Sequence, residues 1–182
     1  CPMSRKTGAQ IRVDTLEDAQ DRVERAIARL KKAQVYVGIA SGSRGDKRSD
    51  APISNHELGF IHEFGSPAAN IPARPFLRPG VRKAIPEYKP KLKAAAKAAL
   101  HGDIDAMDAL LNQAGMIARD GARTEISTGD FVPLKPATLR NRHKSRLASN
   151  PRENELKGED VRPLINTGAL RDSIDYYVKG AK

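Results

Sequence analysis

Apolar residues recur every three to four positions over the longest stretches of this chain, and this spacing predicts amphipathic helices. Asp14 can cap a first helix, whose apolar face starts at Leu16 and which extends to about Ala33. Asp103 can cap another helix, which extends to about Ile126 and carries a second continuous apolar face. Both helices are therefore expected to bury one face in a core.

A third helical pattern, between residues 80 and 100, is interrupted by prolines. Pro86 and Pro90 cannot both lie inside one straight helix, because proline lacks an amide hydrogen and clashes with the preceding turn. We therefore expect a kink, or a helix that restarts near Pro90. Further along, Pro136 favours a short helix over Ala137–Arg142, since proline suits the first helical position.

Two short segments alternate apolar and small or polar residues, as half-buried strands do. One is Val35–Ile39, and the other places Ile174, Tyr176 and Val178 on one face. The order helix, strand, three or four helices, strand predicts an α+β fold with a small antiparallel or mixed sheet packed with several helices.

Charged segments without periodicity separate these elements. Residues near 40–52 and 143–162 are expected to be long flexible loops that protrude from a single α+β domain spanning 13–182. The polar residues 1–12 are expected to form a flexible N-terminal tail. The first loop contains Arg44-Gly45-Asp46, which we interpret as three common loop residues rather than a cell-adhesion motif.

The stretch Ser54–Pro79 has the densest set of local signals. Ser54 and Glu57 have the spacing of a capping box, which predicts the start of a short helix. Gly65 follows the last apolar residue of that helix and can supply the positive φ that ends it. Beyond Gly65, prolines at every few positions predict a stiff, extended arm over residues 66–79.

A stiff arm with apolar residues near its end suits docking on a neighbouring subunit. The side chains expected at that interface are Ile71, Arg74, Phe76, Leu77 and Arg78. The alternative is that Phe76 and Leu77 pack in the core of their own chain. Glu63 is expected to pair with an arginine of the arm, and Arg74 is the nearest candidate.

Four segments occur in a fixed order along the chain. They are VYVGI at Val35–Ile39, HEFG followed by IPARPFLRP within Ser54–Pro79, PLKPATLRNR at Pro133–Arg142, and PLINTGALRDSI at Pro163–Ile174. Together they resemble the head–tail joining, or tail-completion, proteins found in the neck of tailed bacteriophages. The resemblance extends from about Val35 to Val178, and the ordered set is more specific than any single segment.

This resemblance implies a structural virion protein that forms a homo-oligomeric ring between the connector and the tail tube. A hexamer is favoured and a dodecamer is possible. The implied partners are further copies of the chain, the connector or adaptor, and tail-tube or sheath proteins. DNA is expected to pass through the ring without sequence-specific contact. The implied location is the virion neck or tail, with the host cytoplasm as the site of assembly.

The sequence contains no pattern typical of an enzyme. His56 and His62 are six residues apart, which turns them about 120° away from each other on a helix and does not suit a shared metal. Nucleophile elbows and glycine-rich phosphate loops are not found. We therefore predict no catalytic residues, no cofactor and no metal. The single cysteine, Cys1, allows no intramolecular disulfide, and the absence of a long apolar run predicts no membrane span.

The net charge of +10 favours anionic partners over neutral ones. The cations expected to form a basic surface are Lys91, Lys93, Lys97, Arg140, Arg142, Lys144 and Arg146. The alternative function is therefore a nucleic-acid-binding protein without sequence specificity, which contacts phosphates. Aromatic residues do not alternate with these cations, so the sequence offers no platform on which bases could stack.

Overall fold

The computed structural model describes residues 16–42, 46–47, 52–149 and 162–180. Its elements follow in the order α1 (Leu16–Lys32), β1 (Gln34–Gly38), α2 (Asn55–Phe64), α3 (Leu77–Lys83), α4 (Ile85–Leu100), α5 (Ile104–Thr128), α6 (Pro136–Ser149), α7 (Ala169–Asp172) and β2 (Asp175–Lys179). The expected α+β class is confirmed, although six helices rather than three or four lie between the strands. The expected N-terminal tail, 1–12, and most of the expected loops lie outside the described residues.

Local sequence signals account for where α2 and α5 begin. The Ser54 side chain accepts from the amide of Glu57, and the Glu57 carboxylate accepts from the amide of Ser54 at 2.9 Å, which completes the capping box. The Asp103 carboxylate accepts from the amide of Ala106 at 3.0 Å at the start of α5. These predicted helix starts are confirmed.

The break before α4 does not lie where the prolines alone indicated. α3 ends and α4 begins at Ala84, which keeps right-handed φ and ψ of −78° and −5°, and Pro86 then occupies the first turn of α4, where its missing amide costs nothing. Pro90 lies inside α4 instead of starting a new helix. The restart expected near Pro90 is therefore wrong by about one turn of helix.

The helix α6 is longer than the sequence pattern indicated. We expected a helix over Ala137–Arg142 and a loop from 143 onward, whereas α6 continues to Ser149. The added residues contain neither glycine nor proline, and arginine, lysine, leucine and alanine are all good helix formers. The expected loop is thus corrected over 143–149, and 150–161 lie outside the described residues.

The two strands pair in antiparallel register, with Tyr36 opposite Tyr177. The half-buried side of the sheet packs on α5, where Gly115 lies directly under the ring of Tyr176. A Cβ atom at Gly115 would overlap that ring, so β2 can pack this closely on α5 only if position 115 is glycine. Within the described residues the sheet has two strands, so each strand has one unpaired edge.

Apolar side chains pack in two clusters, and α5 contributes to both. One contains Phe76, Ala122, Ile126, Leu164, Leu170 and Ile174. The other contains Ala26, Ala95, Ala99, Met107 and Leu111. None of the described helices is long and apolar enough to span a membrane.

Candidate assembly surface

The carboxylate of Glu63 joins the end of α2 to the start of α3. It accepts hydrogen bonds from the backbone amides of Phe76 at 2.8 Å, Leu77 at 2.9 Å and Arg78 at 3.2 Å. The Nε of Arg78 donates to the same carboxylate at 3.2 Å. Because α3 begins without a side-chain cap of its own, Glu63 supplies the acceptors that its first amides lack.

The electrostatics of this contact favour an ionised carboxylate. Burial of the Glu63 side chain, which is 5% exposed, opposes ionisation. The hydrogen bonds from the amides of Leu77, Phe76 and Arg78 outweigh that cost, so the pKa of Glu63 lies below its ordinary value. A negative charge at the start of α3 also interacts favourably with the helix dipole.

Arg74 is not the partner of Glu63, as we had expected. Its Nε donates to the carbonyl of Val132 at 2.8 Å, and its Nη2 donates to the carbonyl of Pro133 at 3.1 Å. The arginine that pairs with Glu63 is Arg78. Arg74 is only 5% exposed, so it links the arm to the segment before α6 and is not a surface cation.

The arm folds back on α2 and does not project away from it. Gly65 has φ of 78°, and a Cβ there would lie 2.9 Å from the amide nitrogen of Ala73. The amide of Arg74 then donates to the carbonyl of His62 at 2.6 Å, which brings the arm alongside the end of α2. Gly65 therefore reverses the direction of the chain at the end of α2, and the proline-containing arm runs back along that helix.

Phe76 therefore lies inside the molecule. It is 2% exposed and belongs to the first apolar cluster, against which the half-buried Leu77 also packs. The expectation that Phe76 forms a free apolar tip is wrong, and the alternative of packing in the chain's own core holds. Ile71 is half-buried, and of the five expected interface residues only Arg78 is exposed.

Arg142 was expected on the basic surface, but its guanidinium is engaged by the backbone. It donates to the carbonyls of Arg162 at 3.1 Å, Pro163 at 2.9 Å and Ile165 at 3.1 Å. Three carbonyls converging on one side chain hold the segment before α7 against α6. Sequence reasoning could not identify this role, because nothing in a run of cations distinguishes the one that faces inward.

Two phenylalanines remain on the surface of α2, beside the arm. Phe60 is 65% exposed and Phe64 is 52% exposed, with 4.8 Å between their ring centroids. The guanidinium of Arg78 lies 4.8 Å from the centroid of the Phe64 ring, within the range of a cation–π contact. We call Phe60, Phe64 and Arg78 the aromatic patch. Sequence reasoning missed Phe60, although it lies four residues before Phe64 and therefore on the same side of α2.

The cations of α4 do not all point the same way. Lys93 and Lys97 are exposed, and Lys89 completes a row at four-residue spacing, which places the three on one face. Lys91 is half-buried and lies on a different side of the helix. The cations predicted from the sequence include Lys93 and Lys97 of this exposed row but not Lys89.

The cations of α6 form a separate group. Arg140 and Lys144 are exposed and four residues apart, whereas the Arg142 side chain turns toward the segment before α7. Arg146 belongs to α6, but its side chain lies outside the described part of the structure. Among the described residues α6 makes no extensive contact with α4, so the expected cations lie on two helices that do not pack closely against each other.

Asp46, His56 and Ser54 come together at the start of α2. The Asp46 carboxylate accepts from the amides of Gly42 at 2.8 Å and His56 at 2.9 Å, and it lies 2.8 Å from Nδ1 of the His56 ring. The Ser54 hydroxyl contacts the same Nδ1 at 2.9 Å. A catalytic triad needs the nucleophile and the acid on opposite ring nitrogens, so this arrangement cannot relay a proton from serine to aspartate.

The same contacts fix part of the expected first loop. Asp46 is 4% exposed, and the hydrogen bonds from the amides of Gly42 and His56 keep its pKa below the ordinary value. The loop is therefore anchored at Asp46, which corrects the expectation of free motion at that residue. Among the described residues, no group of three or more histidine, cysteine, aspartate or glutamate side chains has the arrangement of a metal site.

Comparison of this chain with protein-family models, with curated proteins and with solved structures gave no match.

Proposed function

We propose that this chain is a structural virion protein of the phage neck, which forms a homo-oligomeric ring between the connector and the tail tube. The proposal rests on the resemblance of four ordered segments to head–tail joining and tail-completion proteins. The proposed partners are further copies of the chain, the connector or adaptor, and tail-tube or sheath proteins.

One observation supports treating these four segments as a single unit: they contact one another in space. Arg74 of the second segment donates to the carbonyls of Val132 and Pro133, at the start of the third. Arg142 of the third segment donates to the carbonyls of Pro163 and Ile165, in the fourth.

The first segment meets the second in the first apolar cluster, where the half-buried Val37 and Ile39 pack against a group of buried residues that includes Phe76. The four segments therefore lie next to one another in the fold, which is consistent with their forming a single structural unit.

The aromatic patch is the surface that best suits contact with another subunit. Phenylalanine and arginine are enriched at protein interfaces, and two adjacent exposed rings are costly to leave in water. A ring requires a contact between two different surfaces of neighbouring subunits. We assign the aromatic patch to one side of that contact, with Arg78 as the one originally expected residue that it contains.

Binding of nucleic acid through phosphates is the second candidate, and the row of Lys89, Lys93 and Lys97 favours it. These three side chains are exposed on one face of α4. A row of cations at helical spacing can follow a phosphate backbone without reading sequence. The same row would also suit a ring that encloses DNA, so DNA affinity alone does not separate the two functions.

The test is the oligomeric state of the purified protein, alone and with its neck partners, by native mass spectrometry. Phe60→Asp combined with Phe64→Asp should abolish rings and leave a folded subunit, because both side chains are exposed. Val23→Asp, which alters another exposed apolar side chain on α1, is the matched control and should leave rings intact. Rings that survive the double substitution would refute the assigned interface, and assembly of infectious tails without the protein would refute the function.

A further inference from the structure

The strand β1 lies in a long stretch without charge. Residues 33–42 read AQVYVGIASG, with no charged side chain, in a chain of which 30% is charged. Soluble proteins normally protect exposed strand edges with charges, proline or bulges, because an unprotected edge pairs with other chains. The outer edge of β1 has none of these protections.

This edge is also unpaired within the part of the chain that the structure describes. β2 occupies one side of β1 and α5 covers one face, and no other described element contacts β1 extensively. β2 is better protected: it carries Asp175 and Lys179, and its Tyr176 amide donates to the Asp175 carboxylate at 2.8 Å. The receptive edge of the sheet is therefore that of β1.

The sequence of β1 is nearly symmetric about Tyr36. We propose that β1 pairs with β1 of a second copy of this chain, in antiparallel register about a two-fold axis through Tyr36. In that register Tyr36 faces Tyr36 of the partner subunit, and each Val35 faces Val37 of the partner subunit. The two-stranded sheets of both copies then join into one sheet of four strands.

The exposed face of the sheet favours this partner. Tyr36 is 51% exposed and lies directly across from Tyr177, which is 63% exposed. Joining two copies continues this pair into a row of four tyrosines across the sheet, and aromatic cross-strand pairs stabilise sheets. A strand of a charged partner would gain no such row, so a second copy is the occupant that the side chains fit.

This pairing does not depend on the neck assignment. A two-fold contact closes on itself and gives a dimer, whereas a ring needs a contact between two different surfaces. If both contacts exist, the complete assembly contains an even number of copies. A β1 dimer could therefore form in a protein that is not a neck protein. Equally, a neck protein could form its ring without β1 pairing.

The first test places a charge on the symmetry axis. Tyr36→Lys puts two lysines opposite each other in the paired strands, and like charges so placed oppose pairing. We expect the dimer of the wild-type protein, measured by sedimentation, to weaken at least about tenfold. Tyr177→Lys is the comparison variant, because it places a lysine on the same face at a position that does not meet its own copy, and it should weaken the dimer much less than Tyr36→Lys does. Mixing Tyr36→Lys with Tyr36→Glu should restore a dimer.

The second test reads the register. Opposed residues of antiparallel strands have Cα atoms about 4.5–5.5 Å apart, which a disulfide can bridge. In a Cys1→Ser background, Tyr36→Cys should form a symmetric intermolecular disulfide under mild oxidation. Tyr177→Cys should not, because three strand spacings, about 14 Å, separate the two copies of that position.

Three results would overturn the proposal. They are a wild-type protein that stays monomeric at all accessible concentrations, a Tyr36→Lys variant that dimerises like wild type, and equal crosslinking at positions 36 and 177. Retention of the dimer in the Phe60→Asp, Phe64→Asp protein would support β1 pairing even if no ring is ever found. Loss of the dimer in that protein would contradict it.

Discussion

The carboxylate of Glu63 accepts a hydrogen bond from the backbone amide of Phe76, thirteen residues further along, at 2.8 Å. This contact closes the arm against α2 and places the Phe76 ring in the apolar core. The stretch that reads as an outward arm in the sequence is thus a closed structural unit. We propose that the side chains left outside, Phe60, Phe64 and Arg78, form the assembly contact instead.

Glu63→Gln should destabilise the protein by about 1–3 kcal/mol, since a neutral amide replaces a charged acceptor of several backbone hydrogen bonds. The measurement is urea unfolding at pH 7. Glu87→Gln, at an exposed position in the first turn of α4, is the control and should change stability by less than about 0.5 kcal/mol. Equal effects of the two substitutions would contradict the role of Glu63.

The effect of Glu63 should depend on pH in a defined direction. The pKa of Glu63 is lowered in the folded protein, so its ionised form stabilises the fold above the unfolded pKa, about 4.3. That contribution should be lost as the pH falls from there through the folded pKa. The stability difference between wild type and Glu63→Gln should therefore be constant near neutral pH and shrink in acid. A difference that grows in acid would have the wrong sign.

Phe76→Ala should cost about 3–5 kcal/mol, because it leaves a cavity where a fully buried ring had packed. Phe60→Ala, on the exposed side of α2, should cost far less and serves as the control. Thermal unfolding of the two variants measures the contrast. If Phe76→Ala unfolds like wild type, the ring does not lie in the core and the original view of the arm regains support.

Gly80→Ala should destabilise by about 1–3 kcal/mol, although alanine normally favours helices over glycine. A Cβ at Gly80 would lie 2.6 Å from the Cα of Ala122, and backbone cannot move aside as a side chain can. Gly38→Ala is the control, because a Cβ there meets nothing within 4 Å. Stabilisation by Gly80→Ala would show that α3 and α5 do not approach this closely.

Arg142→Gln should loosen the segment before α7, since it removes the donor shared by the carbonyls of Arg162, Pro163 and Ile165. Hydrogen exchange should become faster in residues 162–170 and stay unchanged in α4. Arg140→Gln removes an exposed cation two positions away and should leave exchange unaltered. Faster exchange throughout the protein in both variants would indicate a general loss of stability instead.

The sequence predicted those features that depend on neighbouring residues. The cap at Ser54, the cap at Asp103 and the two strands follow from signals within a few positions, and each is confirmed. Whether the arm packs against its own chain depends on contacts between residues far apart in the sequence. Glu63 reaches α3 and Arg74 reaches Val132, and no local pattern distinguishes such an arginine from a surface cation.

The same limit applies to the candidate site. Periodicity marks an apolar side of α2, but it cannot show that Phe60 and Phe64, four residues apart, both stay on the surface of the folded chain. Arg142 was grouped with its charged neighbours because only the fold brings the segment after α6 within reach of its guanidinium. Which apolar side chains remain exposed can be identified only once the packing of the core is known.

The most direct test of the proposed function is the mass of the assembled protein, measured by native mass spectrometry after mixing with the connector and tail-tube proteins. The neck assignment predicts a closed ring of six copies, or of twelve, which the Phe60→Asp, Phe64→Asp variant fails to form. A protein that remains a monomer or a dimer, both alone and with those partners, would contradict the assignment.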